Sequence, residues 1–245
     1  MRRPYAAAWL SRLERARRPA LAALWTVGLT AGLAAMAPGR LTAARPYRPR
    51  RSCLVCNLQP PLPPIYVPAI FLYPPVRERV RVRVDATVTR SRPAYGHGWT
   101  VTAWPGGRLS TGGDQLDYDA LTPPIWQTAA AWVVPAVAWP RWIRTELPRL
   151  GLNAQEVAAF YADWARSLPR ARYYLVAPQP QGVVDRAVPL VIRPRPQTLY
   201  RLWLDIVPLS RPAPVRPPQV PVLVRRGFTV VEWGVVLPPA AAPAG

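Results

Sequence analysis

From residue 76 onward the chain alternates apolar and polar positions in short blocks broken by proline and glycine. The run VRERVRVRVDATVT puts Val76, Val80, Val82, Val84, Ala86 and Val88 on one side and Arg77, Arg79, Arg81 and Arg83 on the other, which predicts one long, half-buried strand. A charged outer stripe of this kind is ordinarily the solvated face of an antiparallel sheet. Further strands are expected at Trp99 to Trp104 and Gln115 to Tyr118, with the glycine-rich breaks between them suiting a meander of hairpins.

The period then changes to that of a helix. Pro140 suits a first helical turn, Trp142, Ile143 and Leu147 share a face, and Gly151 offers a left-handed stop. Asn153 and Glu156 stand at N-cap and N3 spacing ahead of Val157, Phe160, Tyr161, Trp164 and Leu168, which recur every three or four residues. Strands are expected again at Tyr173 to Val176, Ala187 to Ile192, Leu199 to Val207 and Phe228 to Val236, with residues 210 to 221 a proline-stiffened crossing loop. Strands, a helical pair, then strands predict an α+β domain: a mostly antiparallel sheet with the helical pair packed on one face.

The N-terminal third reads differently. Six Arg and one Glu in residues 1 to 19 precede an uncharged apolar run from Ala20 to Ala37, the order of an export signal or a retained membrane anchor. The arginines that follow, from Arg40 to Arg51, oppose translocation, and a start at Met36 or a cytoplasmic helix is the competing reading. Residues 45 to 75 are rich in Arg and Pro and read as an extended linker. The expected organisation is thus a signal or anchor over 1–44, a linker over 45–75, one domain over 76–237 and a disordered tail over 238–245.

Composition narrows the chemistry. The 245 residues carry 32 basic side chains, all arginine, against 12 acidic ones, for a formal net charge of +20. With 34 Pro a long coiled coil is excluded, and with one His and two Cys most zinc and iron–sulfur sites are too. No metal site and no cofactor is expected. Cys53 and Cys56 lie between arginines and prolines, a setting for a local disulfide or two linker thiols. His97, between two glycines, reads as an exposed turn residue.

Glu232 is the residue that most needs an explanation, because it interrupts the apolar run Phe228 to Val236 and shares a face with Phe228 and Val230. A carboxylate there must be neutralised or paired, and Arg201 on another expected strand is a candidate partner. A buried pair fixing strand register and a ligand-contacting or acid–base carboxylate both remain open. Candidate binding residues are Glu232, Arg201, Asp119, Trp99 and Trp233; no catalytic residue is assigned.

Several blocks resemble an uncharacterised family of exported bacterial proteins. Gly98, Trp99, Val101, Ala103, Pro105 and Gly107 match its G-W-x-V-x-A-x-P-x-G block, Leu150 to Asn153 with Glu156 match L-G-L-N-x-x-E, and Gly227 to Gly234 match a closing G-F-T-V-V-E-W-G. Pro194, Pro196 and Arg201 are similar to its P-x-P turn and Arg-containing strand. The chain departs from that pattern at Tyr118, Asp119 and Ala120, at Gln197 and at Val235. The resemblance implies export and a shared fold, with no known reaction.

The leading expectation is an exported or membrane-tethered cell-envelope protein, periplasmic, anchored or extracellular, that binds or supports structure. Its expected partner is an anionic membrane surface or cell-wall polymer. One alternative is a secreted, carbohydrate-active hydrolase using Glu232 and Asp119 with Trp99, Trp104 and Trp126 as stacking platforms. The other is a cytoplasmic nucleic-acid binder acting through the Arg-rich arm, the weaker partner if the chain is exported.

Overall fold

The computed structural model describes residues 64–122 and 130–237. The expected signal or anchor, most of the linker with Cys53 and Cys56, Trp126 and the tail lie outside the described residues.

The body is a seven-stranded sheet with a helical pair on one face and a second, three-stranded sheet on the other. In chain order the strands are β1 (Pro64–Tyr73), β2 (Glu78–Val84), β3 (Thr87–Arg92), β4 (Trp99–Ala103), β5 (Leu116–Leu121), β6 (Trp132–Pro135), β7 (Tyr173–Pro178), β8 (Leu190–Arg193), β9 (Thr198–Leu209) and β10 (Thr229–Val236). The helices are α1 (Trp139–Arg149), α2 (Ala154–Trp164) and α3 (Gln181–Ala187). The large sheet runs β3-β5-β1-β10-β9-β7-β6 and the small one β4-β2-β8. All pairings between these strands are antiparallel except β9 with β10, the parallel pair at the centre. The fold is α+β with a mostly antiparallel sheet.

Strand alternation divides the core into two layers. Ala69 and Phe71 on β1, Leu202, Leu204 and Ile206 on β9, and Val231, Trp233 and Val235 on β10 meet Ile143, Leu147, Phe160 and Trp164 of the helices. The intervening residues Ile70, Leu72, Trp203 and Val230 pack against Val80, Val82, Trp99, Val101 and Ile192 of the small sheet and against Val184 of α3. Helix α2 starts as its sequence dictates. The Asn153 side chain accepts from the Glu156 N–H at 2.9 Å, and the Glu156 carboxylate accepts from the Asn153 N–H at 2.9 Å. Gly151 ends the preceding turn at φ +94, where an added Cβ would lie 2.7 Å from the Leu223 Cβ.

Four expectations are corrected. The body begins before residue 76: Pro64–Tyr73, read as linker, is an interior strand between β5 and β10. Its proline-rich surroundings hid it, and an apolar run buried on both faces gives no period-two signal. The long strand over residues 76–88 is two strands, because the chain bends at Asp85 and Ala86 and passes from the small sheet (β2) to the large one (β3); Val76 is 66% exposed. The hairpin meander is replaced by interleaving, with β2 pairing β4 and β3 pairing β5. The strand expected at Ala187 to Ile192 shortens to Leu190–Arg193, and helix α3 forms before it.

Candidate functional site

Glu232 and Arg201 are direct neighbours in the register of the parallel pair, and both face the small-sheet side. Each side chain is fully buried, and Arg201 Nε donates to Glu232 Oε2 at 2.6 Å. Trp203, two residues along β9 and therefore on the same face, donates its indole N–H to the same oxygen at 2.8 Å. Tyr118 on β5 donates its hydroxyl to Glu232 Oε1 at 2.7 Å. Arg201 Nη1 continues the network to Asp185 Oδ1 at 3.0 Å and to the Val188 carbonyl at 2.7 Å, tying α3 and its following residue to the sheet. Three donors thus converge on one buried carboxylate.

The electrostatics follow from this geometry. Burial pulls the Arg201 guanidinium down, but Glu232 and Tyr118 beside it more than offset that, so its pKa stands above the ordinary value. Burial and then the Glu232 charge push the Tyr118 hydroxyl well up, holding it as a donor. Gly234 faces Trp203 across the strand pair, and a Cβ on it would lie 3.3 Å from the indole nitrogen. A side chain at that position would crowd the indole just where it reaches Glu232.

The other residues singled out from sequence go elsewhere. Trp99 lies in the small sheet, donates its indole N–H to the Pro93 carbonyl at 3.0 Å and packs 6.2 Å from the Tyr118 ring, one residue removed from the network. Trp233 points to the helical side, where it meets Phe160 and Phe71 at 5.1 and 6.4 Å. Asp119 neighbours Tyr118 on β5 and so points to the opposite face of the sheet from Glu232, with β1 between their strands. Two carboxylates on opposite faces do not flank one substrate bond. His97 is exposed in its turn, while Glu232 is fully enclosed.

Sequence reasoning missed Tyr118, Trp203 and Asp185 as members of the network. It also missed Gln181, which completes the β9 edge beyond the end of β7. The Gln181 side-chain amide accepts from the Arg201 N–H at 3.1 Å and donates to the Leu199 carbonyl at 3.2 Å, as a neighbouring strand would. Asp205 was missed too, although it interrupts the run LWLDIV as Glu232 interrupts its own. It is 1% exposed, neither oxygen has a hydrogen-bond partner among the described residues, and burial pushes its pKa up to about 7. The spacing 201, 203, 205 was the available signal.

A second polar cluster forms where β1 ends. The Asn153 amide donates to the Tyr73 hydroxyl at 3.0 Å, and Arg225 binds the buried Glu156 at 2.7 Å while lying 5.1 Å from the Tyr73 ring centre. Gly107 sits under Tyr73, where a Cβ would meet the ring at 2.7 Å. Among the residues of the sequence blocks, Gly107 and Gly151 sit in close turns, Asn153 and Glu156 cap α2, Trp99 and Trp233 pack in the core, and Arg201 and Glu232 form the buried pair. Among the described residues no group of acids, His and Cys is arranged to hold a metal ion. Comparisons with protein-family models, with curated proteins and with solved structures yield no match.

Proposed function

We propose that this chain is an exported or membrane-tethered cell-envelope protein that works as a binding or structural module. The observation that carries this reading is the enclosure of its internal charges. Glu232 and Arg201 have zero side-chain exposure and are paired inside the sheet interface, so neither meets a substrate without the layers parting. What the domain offers to a partner is its surface, where arginine is in large excess. The basic segment ahead of the apolar run over residues 20–37 supports delivery to the envelope, and the Arg/Pro stretch from residue 45 to about 63 supports a spacer from an anionic surface. The hydrolase alternative is left without its carboxylate pair, since Asp119 and Glu232 lie on opposite faces.

Cell fractionation with N-terminal sequencing of the mature chain tests the address. Recovery in the envelope or medium is expected; recovery in the cytosol with Met1 or Met36 intact discards the reading.

A further inference from the structure

The outward face of the small sheet carries charge that the rest of the molecule does not answer. On β2 the outward positions are Arg79, Arg81 and Arg83, and on β8 they are Val191 and Arg193. On β4 they are Thr100 and Thr102. All four arginines are exposed. Arg81 and Arg193 stand directly opposite each other in the antiparallel register, an arrangement that destabilises a sheet unless something anionic relieves it. The three strands contain one acid, Glu78, and it has the inward parity. No ion pair is formed by Arg79, Arg81, Arg83 or Arg193 among the described residues, although Arg201 and Arg225 are both paired with carboxylates. Pleat geometry spaces the Cα atoms that carry these side chains about 7 Å apart along β2 and about 5 Å across to β8, all on one face.

One end of this face adds an interfacial aromatic. Trp104 follows β4 and is half-buried, with the Arg108 guanidinium 4.4 Å and the Arg77 guanidinium 5.6 Å from its ring centre. Val76, beside Arg77, is 66% exposed. An amphipathic ring held among arginines beside an exposed aliphatic side chain is suited to the headgroup layer of a membrane, where one side is apolar and the other wet. Against a soluble polyanion the valine would have no counterpart.

We propose that the outer face of the small sheet is a docking surface for an anionic phospholipid bilayer, with Arg79, Arg81, Arg83 and Arg193 lying over the lipid phosphates and Trp104 and Val76 at its edge. The choice of a bilayer rests on the envelope reading above; the location of the face does not. The domain then lies flat on the membrane through β2 and β8, and the helical pair faces away from it.

Co-sedimentation of the full chain with vesicles tests this, read as the ratio of partitioning onto phosphatidylglycerol-containing vesicles to that onto pure phosphatidylcholine, so that the N-terminal apolar run cancels. The double variant Arg81→Gln/Arg83→Gln is expected to lower the ratio about fivefold for each arginine removed. Arg141→Gln/Arg166→Gln, which removes the same charge from exposed positions in α1 and just beyond α2, is expected to leave it nearly unchanged. Trp104→Ala is expected to weaken binding to anionic vesicles, and equal urea midpoints establish that the variants fold. An equal loss in both double variants overturns the proposal, because it reduces the effect to net charge. Tighter binding to duplex DNA or free polyphosphate than to vesicles, abolished by Arg81→Gln/Arg83→Gln, also overturns it. Fractionation reports the address and vesicles report the face, so the two readings fail separately.

Discussion

Replacing Asp205 by asparagine isolates the cost of one buried carboxylate. Asp205 sits on β9 opposite Ala177 of β7 and Val236 of β10, with neither oxygen hydrogen-bonded among the described residues. Burial raises its pKa from the ordinary 3.8 to about 7. In the unfolded chain the group loses its proton near 3.8, whereas the folded chain keeps it to near neutrality. Between those values the folded state binds more protons, so the contribution to stability is complete below about pH 4 and falls as pH rises through about 7. At 1.36 kcal/mol for each tenfold change in affinity, the interval amounts to about 4 kcal/mol. The asparagine side chain has a similar shape and does not titrate, and every other ionisable group is common to both proteins. Urea unfolding of the full chain, followed by tryptophan fluorescence at several pH values from about 4 to about 8, measures the difference. The stability of Asp205→Asn relative to the parent is expected to improve by about 4 kcal/mol across that range. Parallel stability curves would refute the reasoning, since they would mean that the carboxylate reaches water or a partner.

Other outcomes follow from the same geometry. Glu232→Gln leaves a buried guanidinium with, among the described residues, only the half-exposed Asp185 as an anionic partner and is expected to cost about 3–5 kcal/mol by urea titration; an unchanged midpoint would mean that the pair is not sealed. Gly151→Ala places a Cβ in a positive-φ turn against Leu223 and is expected to cost about 2–4 kcal/mol, combining the left-handed penalty with overpacking. Thermal or urea unfolding reads this directly, and a neutral result would mean that Leu223 yields freely. Asn153→Ala removes the α2 cap and the bond to Tyr73 and is expected to cost about 1 kcal/mol or more. No loss in the same titration would show that Glu156 and Arg225 hold the helix start without it.

Much of this molecule was legible in its sequence because the signals were local. The Asn153 and Glu156 spacing marked a helix start through bonds spanning three residues. Glu232 stood out as a charge in an apolar run, and Arg201 as a charge in another, so a pairing between them was worth weighing. Trp99, Trp233 and Asp119 drew attention through composition and parity, and the fold sends them to three different places. Asp205 carried the same local mark as Glu232. Tyr118 and Asp185 had no such mark, since a tyrosine in a strand and an acid in a short helix are ordinary there.

By itself, the sequence determined which residues of β2 and of β10 share a face, where α2 begins, and that a carboxylate would have to be neutralised inside the closing strand. Only the tertiary structure decided that β9 and β10 run parallel side by side, that β1 enters the middle of the sheet, and that the chain changes sheets at Asp85. It also decided that the arginines of β2 form an outer face with Arg193 of β8 beside them. The reason is physical: side-chain alternation is a property of one strand and is written in adjacent residues. The identity of the neighbouring strand is set by hydrogen bonds and packing between segments far apart in the chain, which no local period records.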